Sequence, residues 1–353
     1  MKFRKTLAIA LASVCALGMA AASTPAMASS DDWGEPEFEL TVQNHDPATS
    51  ICAKFVEAWG QEITEASEGR IQFTYYHGGS LGGAGESVDM VLNGMADICW
   101  TSSSINVGRM PCSDGIGLPM LGFNSTVEAS QAMWNMYEKY DYIKDEWKDF
   151  YVIEVAAACD VPITTTKKQI NTPEDFKGLR MRAVTPGVVY MLQELGCVPM
   201  SITIPDTYEN LEKNVADGCM NDWHNIMAFS LWDVLKYAMD AKVSYSNQAL
   251  LMNKNVYESL PDDLKAIIDE KSGEYAALMA GEYWDSSIEQ SQKLAGENDV
   301  TIYEPTEEIQ AALDAAAAVA YEKWAADMDA DGFDGKQIVA DYQAMAEEVS
   351  AAE

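Results

Sequence analysis

The run Glu37-Phe-Glu-Leu-Thr-Val42 alternates apolar and polar side chains, and the stretch it opens, through Ala96-Asp-Ile-Cys-Trp100, decides the fold class. A period of two is the signature of a strand with one face on a core. Cys52, Phe55, Val56, Trp59 and Ile63 then fall at helical spacing on one face, predicting an amphipathic helix that ends near Gly69. Ile71-Gln-Phe-Thr-Tyr-Tyr76 is rich in strand formers and runs into a glycine-rich turn over residues 77–85. A second helix over about 86–95 leads to a short buried strand at 96–100. This β-α-β-α-β order predicts an α/β chain, a parallel sheet with helices on its faces.

Downstream the alternation resumes. Residues 127–147 read as helix and 151–157 as strand. Thr172-Pro173-Glu174-Asp175 is a helix start: a threonine cap, proline at the first helical position and acids in the first turn. Residues 179–184 read as strand, 188–195 and 208–216 as helices, and 242–246 as a strand returning toward the first domain. Pro261 opens a long helical region, and from Thr306 the chain is helical and alanine-rich. There is no repeat and no Pro/Gly/Ser linker, so domains joined by strands and a long helix are expected, an arrangement suited to a hinge.

Upstream, Lys2, Arg4 and Lys5 precede an apolar run to about Ala22, and Ala26-Met27-Ala28 has the small-residue spacing of a cleavage site. That is a secretory leader over 1–28, cut before Ser29; Val14 is too large for Cys15 to read as a lipobox cysteine. The remaining ~325 residues exceed the size at which one core stops growing, so two domains are expected. The formal net charge is −33, and the leader holds basic residues but no acids, so the mature chain is more acidic still. Such a chain is repelled by nucleic acid and anionic lipid. Six cysteines follow the leader (Cys52, Cys99, Cys112, Cys159, Cys197 and Cys219), and whether they pair is not legible from spacing.

At Asn171-Thr-Pro-Glu-Asp-Phe-Lys-Gly-Leu-Arg-Met-Arg182 the chain resembles the substrate-binding proteins of tripartite ATP-independent periplasmic (TRAP) transporters, the DctP-like family. His77-Gly-Gly-Ser-Leu-Gly82, Val91-Leu-Asn-Gly-Met-Ala-Asp-Ile98, Leu118-Pro119, Leu195-Gly196 with Pro199, Asp206-Thr-Tyr208, and Val215-Ala-Asp-Gly218 before Asn221 follow the family's order. The resemblance implies a two-domain periplasmic-binding-protein fold of the α/β class, with a ligand cleft between domains, crossing strands and a long connecting helix. Residues 29–158 with about 248–285 would form the first domain, and 159–247 with about 286–353 the second. It further implies a periplasmic monomer, not an enzyme and without cofactor or metal, that binds a small organic anion and delivers it to TRAP membrane permease subunits. An arginine at the position of Arg182 would hold the ligand's carboxylate, and Asn221 would contact the same ligand.

The residues support a clamp independently. After the leader the only arginines are Arg70, Arg109, Arg180 and Arg182, and alternation points the last two to one side of a strand. The planar guanidinium matches a carboxylate with two parallel bonds. In so acidic a chain a local, desolvated arginine is needed to attract an anion; Arg182 fits that role, Arg180 a surface pairing with acids. His45, just past the first strand, either makes a structural hydrogen bond or faces the crevice, and Trp100 is either core or a wall of that crevice. Asn221-Asp222-Trp223-His224-Asn225 is polar and aromatic together. Asp222 stands where the family often has proline, either as an acid near the ligand or as a helix cap. Trp223 and Thr185 complete the candidate ligand set. The family's frequent second arginine is replaced by Asp160-Val161-Pro162, which favours a monocarboxylate or small sulfonate over a dicarboxylate and leaves a zwitterion open.

Three rival readings share parts of these signals. A binding protein for another importer or a sensor shares the physics and differs only in motifs. Gly78-Gly79-Ser80-Leu81-Gly82 matches a nucleophile elbow, but Ser80 comes early and His224 would be the sole base, making a secreted serine hydrolase remote. Asp327-Met-Asp329-Ala-Asp331-Gly332 begins like a calcium loop, but Ile338 stands where the bidentate glutamate belongs, so the motif leaves both weak calcium binding and an ordinary acidic loop open.

Overall fold

The computed structural model describes residues 33–351 apart from 104 and 107, so the leader lies outside the described residues. In chain order, β1 (Phe38–Gln43), α1 (Ile51–Ala66), β2 (Ile71–Tyr76), α2 (Ser87–Leu92), β3 (Ile98–Ser102), α3 (Thr126–Lys139), α4 (Asp141–Trp147) and β4 (Phe150–Ala158) build a first lobe. A second follows with β5 (Ile163–Thr165), β6 (Arg180–Arg182), α5 (Pro186–Glu194), β7 (Val198–Met200), α6 (Ile204–Glu212), β8 (Gly218–Cys219), α7 (Trp223–Ala228) and β9 (Tyr237–Met239). β10 (Ser246–Asn253) returns to the first sheet, followed by α8 (Lys254–Ser259), α9 (Asp262–Glu270) and α10 (Glu274–Glu297). β11 (Thr301–Tyr303) rejoins the second sheet, and α11 (Glu307–Ala330) and α12 (Gly335–Ser350) close the chain.

The first sheet runs β2-β1-β3-β10-β4, with β1 parallel to both neighbours and β10 antiparallel to both of its own. The second runs β11-β9-β5-β8-β6-β7, with β6 parallel to β7 and β8. The chain crosses between sheets after β4 and again before β10. The two crossings are zipped together where Val161 N–H donates to Ser244 at 3.1 Å and Val243 N–H donates to Val161 at 3.0 Å.

Local chemistry explains the elements. Ser50 Oγ accepts the Ala53 N–H and starts α1, whose Cys52, Phe55, Val56, Trp59 and Ile63 are all buried, as their spacing predicted. Each large side chain so buried contributes roughly 1.5–3 kcal/mol. α10 rises 1.5 Å per residue and so spans about 36 Å, packing on α1, α3 and β4 of the first lobe and on α7 of the second. Small buried residues (Ala276, Ala277, Ala280, Gly281) let it lie close to α3. A Cβ on Gly281 would stand 2.8 Å from the Val127 Cα, so only glycine fits there. This is the long connecting helix.

Several elements differ from their sequence-based expectation. The start at Thr172 yields only a 3-10 turn, Pro173–Phe176: the Asp175 carboxylate takes the Asn171 and Thr172 N–H groups, but Gly178 at φ 76° ends the turn at once. The returning strand begins at Ser246, not 242, because Lys242 takes φ 44° and Val243 and Ser244 bond to Val161 in the crossing. α12, expected with the second domain, packs on α3, and the Tyr342 hydroxyl donates to the Cys112 and Ser113 carbonyls at 3.0 and 3.2 Å. All six cysteines are buried free thiols. Among the described residues no helix is long and apolar enough to cross a membrane.

Candidate functional site

β6 ends in two arginines with different fates. Arg180 forks onto Asp217, Nε and Nη2 donating at 2.9 and 2.7 Å, and stays part-exposed. Arg182 is only 5% exposed. Its Nε donates to the Ile202 carbonyl at 3.0 Å and its Nη1 to the Met220 carbonyl at 3.1 Å. No salt bridge reaches it among the described residues. Two backbone acceptors therefore hold the plane of a buried cation whose charge no carboxylate neutralises. Burial pulls its pKa below the usual guanidinium value, an effect that Cys219 and Asp222 oppose.

β6 and β8 are parallel, so their C-terminal ends lie side by side, where open α/β sheets present ligand-binding residues. Asn221, just past β8, is 1% exposed, and neither its Oδ1 nor its Nδ2 has a hydrogen-bond partner. An unmade bond of this kind costs about 1–3 kcal/mol per buried group.

The first lobe supplies a matching row. His45 lies 5.2 Å, ring to ring, from Trp100, tilted 32°. Trp100 Nε1 donates to Gln248 Oε1 at 3.2 Å, and the same oxygen accepts Trp284 Nε1 at 2.7 Å. The Trp284 ring in turn meets His224 edge-on at 5.4 Å. Contacts thus run unbroken from β1 through β3, β10 and α10 to α7 of the other lobe. Along it the Nδ1 atoms of His45 and His224 and the Nε2 of Gln248 are buried without partners. Buried polar groups are nearly always paired, so a row of exceptions drawn from both lobes marks a candidate ligand site.

The electrostatics are those of a dry site. Burial lowers the His45 pKa, against the opposing pull of Asp46, keeping the imidazole neutral at pH 7. Glu154 lies beside Leu250 in the sheet, on the face of Trp100 and Gln248, fully buried with both oxygens unpartnered; burial pushes it far up, so it carries a proton. Asp160, 2% exposed, is pushed to about 8 by burial and by Asp240, against the pull of Lys242. The two halves meet: the buried Cys52 thiol of α1 feels Asp46 from its own lobe and Asp222 from the other.

Of the residues singled out from sequence, His45 and Trp100 lie in this row, while Arg182 and Asn221 stand at the end of β6 and just past β8. Asp222 is a helix cap, its Oδ1 accepting the Asn225 N–H at 2.7 Å. Trp223 is wholly buried, its indole N–H reaches Asp240 at 3.4 Å and its carbonyl accepts Ser291 Oγ from α10, so it fastens α7 to that helix. Thr185, at the start of α5, lines a separate cleft. Sequence reasoning missed Gln248 and Trp284 and considered His224 mainly as a hydrolase base. A lone glutamine in an apolar strand was the available signal. Among the described residues no hydrogen bond joins Ser80 to His224. The acids of the calcium-like loop are engaged separately, Asp327 by the Tyr190 hydroxyl and Asp329 by the Gly335 N–H.

Residues 42–327 match the family model described as DctP, bacterial extracellular solute-binding protein, family 7. A structure from an unidentified marine-metagenome microbe, a TRAP solute-binding protein specific for aromatic acid ligands, in complex with 3-hydroxybenzoate, is 28% identical with a TM-score of 0.80, covering 89% of this chain and 99% of that one. A TRAP solute-binding protein from Rhodoferax ferrireducens with copurified benzoate is 27% identical with a TM-score of 0.78, at 89% and 99% coverage. A solute-binding protein from Chromohalobacter salexigens is 23% identical over 71% of this chain and 74% of its own length.

Proposed function

The chain belongs to family 7 of the bacterial extracellular solute-binding proteins, the DctP family, and from that premise we propose that it captures an aromatic monocarboxylate and delivers it to TRAP membrane permease subunits. The observation that carries this reading is the buried Arg182, without a carboxylate partner among the described residues, at the end of β6 with the unpartnered Asn221 just past the neighbouring β8. Arg182 takes the carboxylate and Asn221 donates to it. Trp100, Trp284 and His45 bound a flat apolar body, and two similar chains were solved with 3-hydroxybenzoate and with benzoate.

Asp160, where a second cation is frequent in the family, sets the preference for one acidic group. A second carboxylate brought there would meet a group that resists ionising and is flanked by other acids. A small sulfonate satisfies the same clamp and is the second choice. Closing the lobes over the ligand removes water and strengthens the ion pair. The ligand thereby shifts an open–closed equilibrium, and the permease reads the closed form. No chemical step is involved.

Residues 1–28 act as a cleaved leader that places a monomer in the periplasm. We set the domain boundaries at the crossing strands and count α12 with the first domain, on which it packs. The test is calorimetric titration of refolded, ligand-free protein with benzoate, 3-hydroxybenzoate, succinate and glucuronate. The two aromatic acids should bind at least about tenfold, or 1.4 kcal/mol, more tightly than the others. Tighter binding of succinate or glucuronate would overturn the aromatic monoacid reading.

A further inference from the structure

A second cleft, of about 360 Å³, opens between the two lobes. Its walls come from the loop after β3, from β10, from the start of α5 and from the end of α11. Asp114, Tyr245, Asn247, Trp324, Asp327 and Asp331 decide its chemistry. None of Arg182, Asn221, His45, Trp100, His224 or Gln248 lines it, so it is separate from the anion site. Its size is at the small end of ligand pockets.

Asn247 faces this cleft 1% exposed, with neither its Oδ1 nor its Nδ2 hydrogen-bonded. Its neighbour Gln248, on the opposite face of β10, belongs to the row of unpartnered polar groups, so alternation along one strand serves two sites. Among the described residues no salt bridge reaches Asp114, Asp327 or Asp331. The nearby Lys323 ammonium lies over the Tyr190 ring at 5.7 Å, and the Tyr190 hydroxyl donates to Asp327 at 2.5 Å.

We propose that this cleft binds a primary alkylammonium ion, with its N–H groups on Asp114 and on the amide oxygen of Asn247 and its chain against Trp324 and Tyr245. Three carboxylates exclude an anion. A divalent metal is disfavoured because, among the described residues, no group of three or more His, Cys, Asp or Glu side chains is placed to hold one. Asn247 Oδ1 needs a donor, which a quaternary ammonium lacks. The ring faces favour a cation over a neutral alcohol. Burial, partly offset by a hydrogen bond from Ser103, raises the Asp114 pKa to about 6, leaving the carboxylate mostly ionised at pH 7. The second acidic wall, Asp327 on α11 and Asp331 capping its end, suits a chain with an amine at each end.

The probe is 1,5-diaminopentane, titrated calorimetrically into the chain lacking residues 1–28 at constant ionic strength, with 1,5-pentanediol as the neutral control. Saturable binding of the diamine but not the diol is expected. Asp114→Asn and Asn247→Leu should each weaken it at least about tenfold, the scale of one charge-assisted hydrogen bond, while Arg182→Ala leaves it unchanged. Absence of saturable diamine binding, binding that survives both cleft variants, or an equal loss in Arg182→Ala would overturn the proposal. Thermal melts show which variants fold, and Asp114→Asn decides alone if Asn247→Leu does not. Benzoate affinity, measured in the same samples, reports separately on the anion site.

Discussion

Replacing Asp160 with asparagine should remove most of one proton from the pH dependence of this protein's stability. A free aspartate loses its proton near pH 4. In the folded chain burial, with Asp240 adding to it and Lys242 opposing, holds the Asp160 proton up to about pH 8. Between those limits the native state binds a proton that the unfolded chain has released, so stability falls as pH rises. The contribution is whole below about pH 4 and lost by about pH 8, at roughly 1.4 kcal/mol per unit. From about pH 5 to about pH 8 the wild type should lose on the order of 4 kcal/mol through this group, and Asp160→Asn should not. Urea unfolding of both proteins at those two pH values, followed by tryptophan fluorescence, measures the difference. Groups that Asp160 does not touch, including Glu146 at about 7, titrate alike in both proteins and cancel. A wild-type-minus-variant stability difference that stays constant with pH, or increases as pH rises, would refute the reasoning.

Asn221→Leu should hold or raise the stability of the ligand-free protein by up to about 2 kcal/mol, since it deletes unpaired buried groups, while abolishing benzoate binding; melting curves with and without benzoate show both. Arg182→Lys keeps the charge but cannot reach the Ile202 and Met220 carbonyls and an anion together, so benzoate affinity should fall about a hundredfold by calorimetry, an effect of about 3 kcal/mol. A Cβ on Gly218 would stand 2.1 Å from the Thr164 carbonyl oxygen and 2.9 Å from Met181 Sδ, so Gly218→Ala should cost about 3 kcal/mol in urea unfolding. The six buried thiols should resist a water-soluble thiol reagent in the native protein and all react in denaturant.

The parallel order of the first strands, the helix α1 with its buried face, and the paired arginines of β6 were legible because period and residue type are local properties. Arg180 and Arg182 also divided as expected, one onto a surface acid and one into the interior. The short strands of the second sheet were mostly illegible. β5, β8 and β9 are two or three residues long, too short to show a period, and exist only because neighbours pair with them.

The candidate site divides in the same way. Arg182 could be proposed from the sequence because a guanidinium at a strand end carries its chemistry with it, whereas Asn221 was proposed through the family resemblance alone. Asp222 and Trp223 could not be judged, since a carboxylate that caps a helix and one that meets a ligand read alike until the next turn is placed. Gln248 and Trp284 lie 36 residues apart and share a hydrogen bond only because α10 crosses β10. Composition, charge and periodicity therefore determined that this is an acidic α/β chain, long enough for two domains, with two of its few arginines on one strand. Which polar groups stand unpaired around the proposed clamp, and that a second, acidic cleft lies between the same lobes, was decided by tertiary packing. Whether a buried group is paired depends on neighbours that the chain brings together only when it folds.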